Sequence, residues 1–62
     1  MIERITESLV IQAAREWAAR KNKSDVTAAA NASETMAALK VKLTEEEYGQ
    51  ALEKLYRDYE QS

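Results

Sequence analysis

The stretch that decides the fold is residues 43–59, which read LTEEEYGQALEKLYRDY. Thr44 and Glu47 have the spacing of a capping box, in which each side chain accepts a hydrogen bond from the backbone N–H of the other residue. Leu43 and Tyr48 have the spacing of the hydrophobic staple that accompanies such a box. The pattern predicts that a helix begins directly after Thr44.

Beyond this start, apolar residues recur every three or four positions and form one stripe on a helix. They are Tyr48, Ala51, Leu52, Leu55, Tyr56 and Tyr59. Glu45, Glu46 and Glu47 occupy the first turn, where negative charge is favourable to the helix dipole. The third helix is therefore predicted to span about 45–59 and to bury this face.

Toward the start of the chain, a second stripe predicts a first helix over about 2–21. It contains Ile2, Ile5, Leu9, Ala13 and Trp17, with Val10 and Ala14 widening it on one side. Ile11 falls outside the stripe, near Ala18, and is a candidate for a second contact surface. Asn22 and Asn31 are interpreted as helix-boundary residues.

The middle segment allows two interpretations. One is a single helix over about 25–40 with Ser24 or Asp25 at its N-cap, and the other is a break at Asn31, where Glu34 would complete a second capping box. We favour the single helix. Residues 39–43 alternate as a strand would, but they have no second strand to pair with, so a frayed helix end is the better interpretation.

Composition points to an all-α fold, because the chain has no proline, one glycine and abundant helix-forming residues. We expect one domain over residues 1–62, a small bundle of three helices at about 2–21, 25–40 and 45–59. A chain of 62 residues buries little surface, so the bundle is expected to need regular packing, dimerisation or a partner. The predicted core is Ile5, Leu9, Ala13, Trp17, Ala29, Met36, Leu39, Leu43, Tyr48, Leu52 and Leu55.

Catalysis is not expected from this composition. Histidine and cysteine are absent, which excludes catalytic triads, thiol chemistry and the common zinc sites. No phosphate-binding loop or calcium-binding loop is present in the sequence. We therefore predict neither a metal nor a cofactor. Without a long apolar run or a signal peptide, no membrane contact is expected and the protein is predicted to be cytoplasmic.

The first functional hypothesis is a protein-interaction module, an adapter or inhibitor, that binds through an apolar helix face with an acidic border. Residues 43–62 carry six acidic and two basic side chains, and electrostatic complementarity selects partners. The expected contact residues are Ile11, Glu45, Glu46, Tyr56 and Tyr59. One expected partner is a nucleic-acid-handling protein, whose basic site an acidic surface would occupy, by analogy of size and charge with accessory proteins of phages or mobile elements. A homodimer is a second expectation.

The alternative is a helix-turn-helix-like protein that binds DNA with residues 28–42. It needs the break at Asn31, and it needs cations to meet phosphates. Those cations would be Arg20, Lys21, Lys23, Lys40 and Lys42. The second half of the segment offers alanines where base-reading side chains would be expected, which disfavours this hypothesis.

Overall fold

A computed structural model describes residues 4–61 of the chain. They form three helices, α1 (Glu7–Arg20), α2 (Asp25–Lys42) and α3 (Glu45–Gln61), and no strand occurs among them. The predicted all-α bundle of three helices is therefore confirmed. The Cα atoms extend over 34 × 28 × 16 Å, so the molecule is flat.

Helix α1 begins later than predicted, because Thr6 caps it. The Thr6 hydroxyl accepts from the backbone N–H of Leu9 at 3.2 Å, and Thr6 itself has an extended backbone. Residues 4–6 are not helical, so the predicted span of 2–21 is wrong at its start; Ile2 lies outside the described residues.

Helix α1 ends in a Schellman motif. Asn22 has a positive φ of 59°, and its N–H donates to the carbonyl of Ala19 at 3.2 Å while the N–H of Lys23 donates to Ala18 at 2.7 Å. These two bonds satisfy carbonyls that the helix end leaves without partners. The interpretation of Asn22 as a helix-boundary residue is confirmed.

Helix α2 runs without interruption from Asp25 to Lys42. The Ser24 hydroxyl accepts from the N–H of Thr27 at 3.3 Å, which confirms the single helix and shows that the alternative break at Asn31 is wrong. Because the Ser24 cap already supplies the start, Asn31 lies in the helix interior. Residues 39–42, which alternate like a strand, continue the helix two residues beyond the predicted end.

Helix α3 begins as its sequence predicts. The N–H of Thr44 donates to the Glu47 carboxylate at 3.0 Å, and the N–H of Glu47 donates to the Thr44 hydroxyl at 3.2 Å. Both bonds of the capping box are present. The helix extends to Gln61, two residues beyond its predicted end.

The core is built mainly from alanine. The buried residues among those described are Val10, Ala13, Ala14, Ala18, Ala28, Ala32, Met36 and Leu52. Three predicted core residues are among them (Ala13, Met36 and Leu52). Seven more are half-buried: Ile5, Trp17, Ala29, Leu39, Leu43, Tyr48 and Leu55.

Leu9 is a wrong core prediction, since 36% of it is exposed. The most deeply buried line on α1 is Val10, Ala14 and Ala18, which lies on the side where Val10 and Ala14 widen the predicted stripe. The shift has a physical reason, because alanines on α1 meet alanines on α2, and small side chains allow two helices to approach closely.

The three helices run up, down and up. At one end Glu7 of α1 accepts from the Tyr48 hydroxyl of α3, and at the other end Trp17 meets Tyr59, so α1 and α3 are parallel. Helix α1 packs most extensively against α2, less against α3, and α2 touches α3 least. This arrangement leaves one side of the α1–α2 pair without a covering helix.

Candidate functional site

A groove lies between α1 and α2, open to solvent, with a volume of about 910 Å³. Among the described residues that line it, none comes from α3. Its walls are Glu7, Ser8, Ile11, Gln12, Arg15, Glu16 and Ala19 on α1, and Asp25, Ser33, Met36, Ala37 and Lys40 on α2. The groove therefore lies on the side of the α1–α2 pair that α3 leaves uncovered.

The floor of the groove is apolar. Ile11 lines it and is half-buried against the core, and Met36 and Ala37 face it from α2. Ile11 is a predicted contact residue, and it lines the groove. Met36 and Ala37, which line the groove with it, are not among the predicted contact residues. Met36 belongs to both surfaces, because it is a buried core residue that also reaches the groove.

Charged side chains of both signs also line the groove. Glu7 lies toward one end, and Glu16 and Asp25 lie toward the other. Arg15 spans the second end, with its guanidinium 3.1 Å from the Asp25 carboxylate. Both side chains are about half exposed, so this ion pair contributes little stability and mainly orients the two groups. Lys40 lines the end near Glu7.

The predicted contact residues on α3 do not join this groove. Glu45 and Glu46 are exposed in the first turn, whereas Tyr56 and Tyr59 are half-buried against the core. A helix rises about 1.5 Å per residue, so Glu45 and Tyr56 are roughly 16 Å apart along α3. The five predicted contact residues are therefore distributed over separate surfaces.

Tyr59 belongs to a cluster at the end of the bundle where α1 and α3 both finish. Its ring meets Trp17 edge-on, with centroids 5.7 Å apart, and the Arg20 guanidinium donates to the Tyr59 carbonyl at 2.7 Å. The last turn of α3 has no cation of its own. Arg20 therefore supplies from α1 the positive charge that favours a helix C-terminus.

The predicted DNA-binding cations are also divided. Arg20, Lys21 and Lys23 lie around the α1–α2 connection, whereas Lys40 and Lys42 lie roughly 22 Å or more away at the far end of α2. The Lys23 ammonium is 5.2 Å from the centre of the Trp17 ring, which is a cation–π geometry. These cations do not form one patch, and the uninterrupted α2 lacks the turn that the DNA-binding hypothesis needs.

Tyr48 and Glu7 link α3 to the edge of the groove. The Tyr48 hydroxyl donates to the Glu7 carboxylate. Partial burial raises the pKa of Tyr48 from about 10 to about 12, and the hydrogen bond and negative charge of Glu7 add to this rise. The phenol therefore stays protonated and keeps donating at neutral pH.

Within residues 4–61, no three acidic side chains are grouped as metal ligands would be. No helix in the same range combines the length and apolar character that a membrane crossing requires.

Comparison of the sequence with protein-family models, with curated proteins and with solved structures finds no match.

Sequence reasoning missed a second apolar line on α2. It consists of Val26, Ala30, Ser33, Ala37 and Val41, all of them exposed. These residues recur every three or four positions, which is the spacing of a helix face. The buried residues of α2 have the same spacing, so the sequence does not separate the two lines. Only the packing of α1 on α2 distinguishes the two lines.

Proposed function

We propose that this protein is a small, non-enzymatic interaction module whose groove between α1 and α2 receives a helix of a protein partner. The observation that carries the proposal is the apolar floor at Ile11, Met36 and Ala37, which lies between two helices and has no cover from α3. An amphipathic helix bound in a hydrophobic groove is a recurring mode of protein recognition.

The size of the core supports this function. Five of the eight buried residues are alanines, so burial of large apolar side chains contributes little to stability. A partner that binds the folded chain and not the unfolded chain would add stability by mass action. The groove is the surface on which such a partner would bury further apolar area.

The charges at the rim indicate the chemistry of the partner. Three carboxylates (Glu7, Glu16 and Asp25) and two cations (Arg15 and Lys40) line the groove, so its net charge is −1, and Arg15 is paired with Asp25. We expect the bound helix to carry Lys or Arg beside its apolar face, because complementary charges guide association and select the partner. In this proposal the acidic border consists of these three carboxylates and not of Glu45 and Glu46.

A photo-crosslinking amino acid placed in the groove tests the proposal. Ala37 faces the groove, whereas its neighbour Ala38 is exposed about 100° further around α2. In living cells, the probe at position 37 should give discrete protein adducts and the probe at position 38 should not. Equal adducts at both positions, or none at position 37, would contradict the proposal.

A groove variant provides the second arm of this test. Gln12→Arg places a cation at an exposed position of the rim, where it would repel a basic partner helix without disturbing the core. With the probe at position 37, this variant should lose most of the adduct. Gln50→Arg on the outer face of α3 is the matched control and should leave the adduct unchanged.

A further inference from the structure

One carboxylate of the groove is held by a helix that does not line the groove. Glu7 lies on the α1 wall, and its Oε2 atom accepts from the hydroxyl of Tyr48 on α3. The ring of Tyr48 is half-buried and packs against the core. The hydroxyl is therefore fixed by the interior of the bundle, and it fixes the Glu7 carboxylate at the edge of the groove.

The other two carboxylates of the groove have different partners. Asp25 lies 3.1 Å from the guanidinium of Arg15, so its charge is already compensated. Glu16 accepts at 3.2 Å from the amide of Gln12, one turn away on the same helix. Both of these side chains are exposed, and exposed long side chains retain much of their rotamer freedom. Glu7 is thus the groove carboxylate that is held by a residue packed on the core.

The opposite wall of the groove carries a cation at this end. Lys40 lines the groove from α2, and among residues 4–61 no ion pair joins it to Glu7. A cation on a bound molecule would be attracted by Glu7 and repelled by Lys40. The two walls therefore favour a bound helix that presents its cation to α1 and not to α2.

The distance from Glu7 to the apolar floor sets a spacing for the bound helix. Ile11 follows Glu7 by four residues, so the two lie one turn, or about 6 Å, apart along α1. A helix that lies along the groove repeats its own contacts every three or four residues. An apolar anchor on Ile11 and a cation on Glu7 must then be one turn apart in the partner.

We propose that Glu7 recognises a Lys or Arg one turn from the apolar anchor of the bound helix, and that Tyr48 is the positioning residue that holds the Glu7 carboxylate for this contact. The inference rests on the proposed function and names the group that selects the partner. The Tyr48 hydroxyl bonds Oε2, which leaves Oε1 to accept from the cation. Because the carboxylate is held before binding, less side-chain freedom is lost when the cation arrives.

A pair of synthetic peptides tests this recognition. Both are alanine-based helices with two central leucines, and they differ only in carrying Arg or Gln one turn to either side of the leucines. Each is titrated into the isotopically labelled full chain and followed by NMR. Shifts of the amide signals of Ile11 and Ala37 should place both peptides in the groove. The Arg peptide should bind about threefold more tightly than the Gln peptide, which is the range of an exposed ion pair.

A charge variant and its matched control test the role of Glu7. Glu7→Gln should bring the ratio of the two affinities close to one, whereas Glu45→Gln should leave it unchanged. Glu45 is also an exposed glutamate that directly follows the capping threonine of its helix. It lies at the same end of the bundle but outside the groove. Equal losses in the two variants would show a general effect of net charge and would overturn the inference.

A conservative variant tests the role of Tyr48. Tyr48→Phe keeps the ring on the core and removes the hydroxyl. It should reduce the affinity ratio to less than about twofold while the Gln peptide binds as it does to the parent. If Tyr48 acted only through the fold, both peptides would weaken equally and the ratio would stay the same. An unchanged ratio therefore overturns the positioning role.

The same titrations separate failure of this inference from failure of the proposed function. If both peptides shift the groove amides with equal affinity, recognition by Glu7 is overturned and the groove function stands. If neither peptide binds, the inference is overturned as well, and the photo-crosslinked adducts from position 37 decide whether the groove function stands. No peptide binding together with no adducts overturns both.

Discussion

Helices α2 and α3 are similar in length but use their apolar residues differently. Helix α3 has one apolar stripe, which packs toward α1, and a charged outer face. Helix α2 buries Ala28, Ala32 and Met36 and exposes the apolar side chains of Val26 and Val41 on another side. The comparison teaches that a helix with one apolar face buries that face inside the bundle. A helix with two apolar faces keeps one of them exposed, where it is available to another molecule.

The largest expected effect is the loss of stability when a buried residue of α3 is truncated to alanine, compared with an exposed residue of α2. Leu52→Ala should lower the free energy of unfolding by about 2–5 kcal/mol, because Leu52 is buried and its truncation leaves a cavity. Val41→Ala should change it by less than about 0.5 kcal/mol in dilute protein. Urea denaturation measures both, and equal losses would show that Val41 is buried in the monomer.

The next effect concerns the caps at the starts of the two helices. Thr44→Ala should cost about 1 kcal/mol, since the Thr44 hydroxyl satisfies the N–H of Glu47. Ser24→Ala should cost a similar amount at α2 through loss of the bond to Thr27. Thermal denaturation provides the comparison, and an unchanged melting temperature for either variant would mean that the helix begins elsewhere.

A smaller effect is expected at the turn that precedes α2. Asn22 has a positive φ, which glycine adopts more readily than any L-residue. Asn22→Gly should therefore keep or raise stability, by at most about 0.5 kcal/mol, whereas Asn22→Ala should lower it by about 1 kcal/mol. If alanine proved as stable as glycine in urea denaturation, the left-handed conformation at this position would be wrong.

The smallest effect at neutral pH concerns the contact that holds the start of α3 against α1. The pKa of Tyr48 is raised to about 12 in the folded chain, so its contribution to stability is complete below pH 10 or so and is lost as the pH rises toward 12. The urea midpoint of the parent should fall more steeply over this range than that of Tyr48→Phe. Parallel pH profiles would show that the pKa of Tyr48 is not raised in the folded chain.

Local signals in the sequence were sufficient for much of the fold. The capping box at Thr44 and Glu47 is complete within four residues, and the spacing of α3 leaves one apolar face. The choice of Ser24 over Asn31 as the start of α2 was also correct. In contrast, the predicted start of α1 is too early, because Ile5 continues the helical spacing although residues 4–6 are not helical.

The candidate site was less predictable. Ile11 was identified because it falls outside the apolar stripe of its helix, and it does line the groove. Its neighbours Met36 and Ala37 come from another helix, and no local pattern states which residues of two helices will meet. Glu45, Glu46, Tyr56 and Tyr59 were chosen for their residue types, and the fold places them away from Ile11.

By itself, the sequence determined the helical content, the capped starts of α2 and α3, and the absence of the side chains that the common catalytic sites need. These properties depend on residue type and on spacing within one or two turns, which are local. The tertiary structure alone decided which apolar line of α2 is buried and where the groove lies. The reason is that alanines on both sides of α2 suit close packing equally well, and only the docking of α1 selects one side and exposes the other.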